Sequence, residues 1–330
     1  MSRHYEAVHQ SPKGAGDARP TALQIIRDEH LEDQWSNKVI LITGCSSGLG
    51  VHTARALYTT GATLYLTARD LDRAKRALGD IFNSPRVHLL HLDLNSLASV
   101  RACVKEFQAK SPRLNILIAN AGVMGCPEGR TEEGFETQFG TNHLAHFLLF
   151  HLLRRVMLAS SSPVFHSRVV LLSSGSHRFG AVNFDNLTWE GEFDTWMAYA
   201  QSKTANIWTA NEIERRYGGH GLHAVSLHPG TIATDLLRHV SDDQMASWTA
   251  DKELERYWKT PEQGAATTVW AAVSSEMEGR GGVYLENCAV ANEWVPAAGP
   301  WGPGYAKWAY SPESEARLWK VSLELLGLKE

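Results

Sequence analysis

Ser174, Tyr199 and Lys203 stand in that order in the second half of the chain, and together they can protonate a carbonyl oxygen that receives a hydride. The run YAQSK sets Tyr199 and Lys203 four residues apart, which places both on one face of a helix. Carbonyl reduction needs a hydride source, a proton donor and a group that orients the oxygen, and Tyr199 is the candidate donor. A free phenol titrates at about 10, so bringing it to roughly 7 requires about 4 kcal/mol of preferential phenolate stabilisation, which the Lys203 ammonium and an oxidised nicotinamide can supply in a dry cleft. Ser174 ends the strand-like run VVLLSS and would hydrogen-bond the substrate oxygen as charge develops on it. A Tyr-x-x-x-Lys pair also occurs as a solvated or core-edge feature of helices, so its meaning depends on the elements around it.

The stretch KVILITGCSSGLG, Lys38 to Gly50, would position the hydride carrier. Val39 to Ile42 form an apolar run without alternation, suited to a parallel strand buried on both faces. Gly44, Gly48 and Gly50 follow at once, interleaved with Ser46, Ser47 and Leu49. Such a loop is either an ordinary turn or a close seat for a pyrophosphate at the amino end of a helix predicted over Leu49 to Thr60. Arg69 comes 25 residues after Gly44, just past a second strand, TLYLTA. There an acidic residue would bond a free ribose 2′-hydroxyl, whereas a guanidinium can pair with a 2′-phosphate; the alternative is a surface pair with Asp70.

The remaining chain alternates strand and helix. Strands are predicted at Thr63 to Ala68, Val87 to Leu92, Leu114 to Ala119, Arg168 to Ser173, Leu222 to Leu227 and Gly282 to Glu286. Helices are predicted at Leu71 to Phe82, Leu97 to Ala109, Glu133 to Ala159, Trp196 to Tyr217 and Pro261 to Ser275. This alternation implies an α/β fold with right-handed parallel crossovers. Residues 1 to 19, rich in Gly, Lys, His and Ser, are expected to bury little and to be mobile, and Thr21 with Gln24 makes a capping box for a short helix that covers the sheet or borders the substrate mouth.

The ordered set of motifs resembles the short-chain dehydrogenase/reductase family in its classical branch, over residues 37 to 287. The set is Thr43-Gly44-x-x-x-Gly48-x-Gly50, Arg69, Asp93, Asn120-Ala121-Gly122, Asn142, Ser174, Tyr199-x-x-x-Lys203 and His228-Pro229-Gly230-x-x-x-Thr234. LYLTARD, IANAGVM, TNHLAHFLL and LLSSGSHR are similar to its group of retinol dehydrogenases and WW-domain oxidoreductases, including fungal secondary-metabolism reductases. Two departures stand out: Ala119 replaces the first Asn of the usual Asn-Asn-Ala-Gly, and Ala145 stands where Gly is common.

The resemblance implies a single doubly wound Rossmann-type domain, residues 37–330, with a seven-stranded parallel sheet in the order 3-2-1-4-5-6-7 and helices on both faces. An N-terminal extension (1–36) precedes it, and residues 288–330 form a segment covering the substrate. It implies NADPH/NADP+ as cofactor, held by the glycine loop (Gly44, Ser46, Ser47, Gly48, Leu49, Gly50), Arg69, Asp93 and Leu94 at the adenine, Asn120, Ala121 and Gly122, Tyr199 and Lys203 at the nicotinamide ribose, and Pro229, Gly230, Ile232 and Thr234. Asn142, Ser174, Tyr199 and Lys203 would be the catalytic set, with Asn142 holding a water of the proton relay.

Composition narrows the function class. A net charge of −4 offers no basic footprint for nucleic acid, and the four cysteines lack metal or disulfide spacing, which fits a reducing cytoplasm. His143, His146 and His151 share one helix without partner ligands and read as packing or surface residues, with no metal expected; no long apolar run suggests a membrane span. His177 and Arg178 could touch substrate or serve a loop. The expected partner is a small molecule, with a possible homodimer through Leu144 to Leu158 and Ala200 to Tyr217. Ten of the eleven tryptophans fall between Trp189 and Trp319, which points to a large apolar or aromatic ketone, with Trp189, Trp196, Trp248, Trp258, Trp294, Trp301 and Trp308 as candidates for the cleft and Trp208 and Trp270 as packing. The leading expectation is an NADPH-dependent ketoreductase or, in reverse, an alcohol dehydrogenase. The alternatives are a retinoid- or steroid-alcohol dehydrogenase, a nucleotide-sugar epimerase, whose Gly-x-x-Gly-x-x-Gly loop is absent, and a non-catalytic NADP(H)-sensing protein.

Overall fold

The unalternating apolar run of the first strand has its cause in the layers around it. In the computed structural model, which describes residues 5–330, Leu41 points into a core shared with Phe107, Leu117 and Phe147, while Ile40 and Ile42 point into an opposite core shared with Ile118, Val170 and Val269. Alternate side chains face opposite sides of a strand, and here both sides are covered, so every position is apolar.

The strands are β1 (Val39–Ile42), β2 (Thr63–Ala68), β3 (Val87–His91), β4 (Ile116–Ala119), β5 (Ser167–Leu172), β6 (Leu222–His228), β7 (Thr231–Ile232), β8 (Trp258–Lys259), β9 (Tyr284–Glu286) and β10 (Ala289–Val290). The main sheet runs β3-β2-β1-β4-β5-β6-β9-β10. Its first seven strands pair in parallel, in the expected order. An eighth strand, β10, was not expected: the chain reverses through Asn287 and Cys288, both at positive φ, and returns antiparallel to β9. The short β7 and β8 form a separate parallel pair beside the carboxyl end of the main sheet.

Leu97–Lys110, Ala145–Ser160 and Thr195–Tyr217 cover one face; Ala22–Asp28, Gly48–Tyr58 and Ala266–Val273 cover the other. Thr21 Oγ1 accepts from the Gln24 N–H (3.2 Å), and Ile25 and Ile26 pack on the sheet, so that helix covers the sheet and does not border the main cavity. The helix expected over Glu133 to Ala159 is broken. A short turn, Thr137–Phe139, runs into a π-helical turn, Gly140–Leu144, before Ala145–Ser160 begins. Glu133 lies outside it because its carboxylate caps the neighbouring helix at the Leu97 N–H (2.7 Å). Pro261–Gly264 and Ala266–Val273 likewise replace one expected helix, and the helix after β2 ends at Leu78, before a 3-10 turn, Gly79–Asn83.

The expectation that residues 1 to 19 bury little fails for their described part. Tyr5 and Arg19 are buried, and polar anchoring replaces apolar burial: Arg19 donates to the carbonyls of Gly14, Tyr257 and Trp258 and to the Asp17 carboxylate. Residues 1–4 lie outside the described residues. At the other end, the helix Pro312–Leu325 sets Trp319 against Phe147 (4.8 Å between ring centres) and Tyr217, while Glu315 accepts from Asn211 Nδ2 (2.8 Å). It therefore covers faces of the two helices expected to meet a second copy.

Candidate active site

The carboxyl ends of the central strands open on one cavity of about 1040 Å³. Open α/β sheets bind ligands there, where the strand order reverses. Between β1 and its helix, Gly44 adopts φ +77°, and a Cβ on it would lie 2.9 Å from Ala121 Cα; Gly48, at φ +58°, faces Thr234. Gly50 serves differently. It does not line the cavity, but a Cβ there would sit 2.1 Å from the Gly44 carbonyl, so its role is to let the helix close against the loop. Asn120 Nδ2 donates to the Thr43 carbonyl (2.8 Å), tying the β4 turn to the glycine turn.

Ser174, Tyr199 and Lys203 line the same cavity. Burial pushes the Tyr199 phenol up to about 12, with a hydrogen bond from Ser174 acting in the opposite direction, and burial brings Lys203 down to about 8. The expected lowering of the phenol toward 7 is therefore not met by this chain alone. Lys203 Nζ stands 5.5 Å from the Tyr199 ring centre and donates to the Leu172 carbonyl (3.1 Å), so its charge does not offset the desolvation of a phenolate.

Asn142 does not line the cavity. It is fully buried in the π-helical turn, where its Oδ1 accepts from the Val123 N–H (2.8 Å) and its Nδ2 donates to the Val123 carbonyl (2.9 Å) and Ser202 Oγ (3.0 Å). Asn142 and Lys203 nonetheless converge behind Gly122, where an added Cβ would meet Asn142 Oδ1 at 3.1 Å and Lys203 Nζ at 3.4 Å.

The sequence model of the short chain dehydrogenase family matches residues 38–245. The chain belongs to the short-chain dehydrogenase/reductase family. It is 48% identical over 326 residues to the short-chain dehydrogenase/reductase prx1 of Penicillium roqueforti, spanning 99% of this chain and 96% of that protein. It is 38% identical to human retinol dehydrogenase 11 over 298 residues, 89% of this chain and 87% of the relative. Among solved structures, an uncharacterized protein from Mycobacterium paratuberculosis superposes with a TM-score of 0.69 at 29% identity, covering 94% of this chain and 99% of that one. The family uses nicotinamide dinucleotides, and the retinol-dehydrogenase and fungal likeness read from the motifs holds across almost the whole chain.

Within this dehydrogenase/reductase cleft, Arg69 lines the cavity, exposed and without an ion pair among the described residues. Asp70, its alternative partner, caps the next helix by accepting from the Arg73 N–H (2.8 Å). Asp93 lines the cavity and also serves its own loop, accepting from the Asn95 N–H (3.0 Å); Leu94, Ala121, Ile232, Pro229 and Gly230 line it as well. Of the candidate tryptophans, Trp196, Trp248, Trp258 and Trp301 border the cavity, with Trp196 and Trp248 edge to face at 5.9 Å. Trp189, Trp294 and Trp308 do not: Trp308 Nε1 donates to the His177 carbonyl (3.0 Å), and Trp294 stacks against Arg178. Trp208 and Trp270 are packing residues as expected.

The two readings of His177 and Arg178 divide between them. His177 is fully buried and bonds the Ser174 carbonyl (2.6 Å) and the Ala306 N–H (3.0 Å), tying the end of β5 to the C-terminal segment. Arg178 borders the cavity and holds the Pro300 and Gly302 carbonyls. His143 and His146 are buried: His143 Nε2 meets Ser322 Oγ, and His146 bridges Thr43 Oγ1 (2.9 Å) and the Asn142 carbonyl (3.1 Å), so the latter braces the glycine turn against the π turn.

Among the polar cavity residues, Arg73 and Glu286 escaped the sequence reading, and His228 was read only as part of its motif, with no role assigned. Arg73, in the first turn of the helix that follows Arg69, pairs with Asp235 across the cleft. His228 ends β6; its Nδ1 accepts from the Gly175 N–H (3.1 Å), which leaves the proton on Nε2. Glu286 ends β9 and accepts from the Gly304 N–H (2.8 Å). The last two sit at carboxyl ends of strands, the position that could have flagged them.

Proposed function

We propose that the chain is an NADP(H)-dependent oxidoreductase that interconverts a ketone and a secondary alcohol on a large apolar or aromatic metabolite, acting as a ketoreductase of secondary metabolism in the cytoplasm. The observation that carries this reading is a single cavity bordered by the glycine turn at one end and by Ser174, Tyr199 and Lys203 at the other. Gly44 and Gly122 stand where a Cβ would crowd backbone or the Asn142–Lys203 pair, so the residues present fit a dinucleotide laid along the strand ends. When bound, that cofactor supplies or accepts the hydride. The reading of NADP(H) is supported by Arg69, which lines the cavity beside Ala68 without an ion pair among the described residues and can pair with a 2′-phosphate.

In the reducing direction Ser174 and Tyr199 hydrogen-bond the ketone oxygen, and Tyr199 gives it a proton. A phenol at about 12 is fully protonated at neutral pH and stands ready as the donor. Lys203, charged below about 8, stabilises the negative charge that develops on Tyr199 Oη as the proton leaves. Trp196, Trp248, Trp258 and Trp301 with Met197 and Leu237 favour an apolar, ring-containing substrate. A retinoid- or steroid-like alcohol is the second reading, favoured by the likeness to retinol dehydrogenase 11. A sensing protein without chemistry is disfavoured by the retention of Ser174, Tyr199 and Lys203 on the cavity.

The test is turnover of a panel of bicyclic and tricyclic ketones, short aliphatic ketones and sugar ketones, with NADPH and NADH and with product identification. Highest kcat/KM on the ring ketones with NADPH supports the reading. Preference for the small polar compounds, or for NADH, overturns the corresponding half.

A further inference from the structure

Behind the Pro229–Gly230 turn lies a second, small cavity of about 110 Å³ between the N-terminal segment and β8. Two buried cations border it, Arg19 and Lys259, and neither belongs to the catalytic set. We propose that Lys259 and Arg19 are positioning residues for the nicotinamide half of the cofactor: Arg19 fixes β8, and Lys259 on β8 fixes the backbone of Pro229 and Gly230. The inference rests on the assignment of this turn to the cofactor site.

Lys259 makes the direct contact. Its Nζ donates to the Pro229 carbonyl (3.3 Å) and to Asn287 Oδ1 (3.0 Å), and it forms no ion pair with a carboxylate among the described residues. Its stem fills the space under Gly230, where a Cβ would lie 2.8 Å from Lys259 Cδ and 3.0 Å from Nζ; Gly230 takes φ +111° there. An ammonium that is only 5% exposed is costly unless its hydrogen bonds are made, and burial brings it down to about 8. An apolar side chain of the same length would fill that space without the cost, so the hydrogen bond to the turn is the feature that a lysine adds.

Arg19 acts one step further back. Its guanidinium donates to the Tyr257 carbonyl (3.2 Å) and the Trp258 carbonyl (2.6 Å), at the entry to β8, and to the Gly14 carbonyl (2.9 Å) within its own segment. Gln263 completes the clasp, donating to the Asp17 and Arg19 carbonyls, both at 3.0 Å. β8 in turn pairs with β7, Thr231 opposite Trp258 and Ile232 opposite Lys259, immediately after the turn. The N-terminal segment thus reaches the cofactor turn through backbone pairing and through the Lys259 side chain.

Two ligands separate this role from general stability: NADPH, and 2′-phospho-ADP-ribose, which keeps the adenosine and phosphate half but lacks the nicotinamide. Both are titrated calorimetrically into the full chain and its variants, with a thermal melt of each. Lys259→Met is expected to weaken NADPH about tenfold, the scale of one charge-assisted hydrogen bond, while the fragment changes less than about twofold. Arg19→Gln should show the same split with a smaller loss, and reads the inference even if Lys259→Met fails to fold. Equal weakening of both ligands, or of neither, in the folded variants overturns the inference while leaving the proposed function intact. A wild-type chain that binds the fragment no more weakly than NADPH overturns it too, and one that binds no nicotinamide dinucleotide overturns both.

Discussion

The two ends of the main cavity are built in different ways. The end with the glycine turn, Arg69 and Asp93 comes from residues 44–94, where three successive strands, β1, β2 and β3, each release the chain at the cavity. The other end is assembled from distant pieces: Arg178 after β5, Trp196 at the start of a helix, Trp248 in the segment after β7, and Trp301 in the C-terminal segment, held by Asp251 (2.9 Å). One end is a local consequence of the parallel sheet, and the other depends on long-range hydrogen bonds. The first should tolerate little variation in ligand and the second much, since loops on a fixed scaffold can change without disturbing the sheet.

The comparison predicts separable losses. Tyr199→Phe, at the junction of the two ends, should lower kcat by about a thousandfold, within the range typical of a general acid, with little change in NADPH affinity. Steady-state kinetics beside calorimetry checks this, and near-native kcat would remove Tyr199 as the acid. Arg69→Ala should act on the local end alone. NADPH binding is expected to weaken by about ten- to a hundredfold, the scale of a charge-assisted pair, with NADH unchanged; equal loss for both cofactors would detach Arg69 from the 2′-phosphate.

A pH profile tests the junction without mutation. Lys203 sits at about 8 and Tyr199 at about 12, so the lysine loses its charge first as pH rises. The kcat/KM for reduction should be level below pH 8 and fall by about tenfold per pH unit above it, as one essential proton is lost. A profile level to pH 10 would contradict this role for the Lys203 charge. The smallest effect belongs to the assembled end: Trp248→Ala should raise KM for a tricyclic ketone several-fold, about 1 kcal/mol of lost aromatic contact, and leave short ketones and cofactor binding unaffected. Equal losses on both substrate classes would mean that Trp248 supports the loop and not the ligand.

Cover also separates the two regions. The glycine turn keeps its shape through groups nearby in the fold, such as Asn120 and His146, whereas the Pro229–Gly230 turn is reached from the N-terminal segment through Arg19 and Lys259. His146 and His143 are buried neutral, at about 4 and about 3, below the usual histidine value. Their contribution to stability is present above about pH 6.5 and is lost as pH falls toward those values, because the unfolded chain takes up protons that the folded chain refuses.

By itself, the sequence determined what depends on local periodicity and on residue type: the alternation of strands with helices, the glycine turn, the Tyr199–Lys203 helix and the position of Arg69 just past β2. Each follows from contiguous residues whose hydrophobic period or steric demand admits few conformations. The order of the strands came only with the family resemblance. Only the tertiary structure decided that Asn142 braces Val123 from behind the cavity, that a π turn interrupts its helix, and that β10 folds back on the sheet edge. The same holds for the tryptophans, identical in type, of which Trp248 and Trp301 border the cavity while Trp294 and Trp308 clamp the segment behind it. Polar residues such as Arg19 and Lys259 carry no period, and their burial depends on acceptors that only folding brings within reach, 239 residues away for Arg19 at Trp258 and 30 residues away for Lys259 at Pro229. A side chain's type states which bonds it can make, and the packed chain states which partners are there to make them.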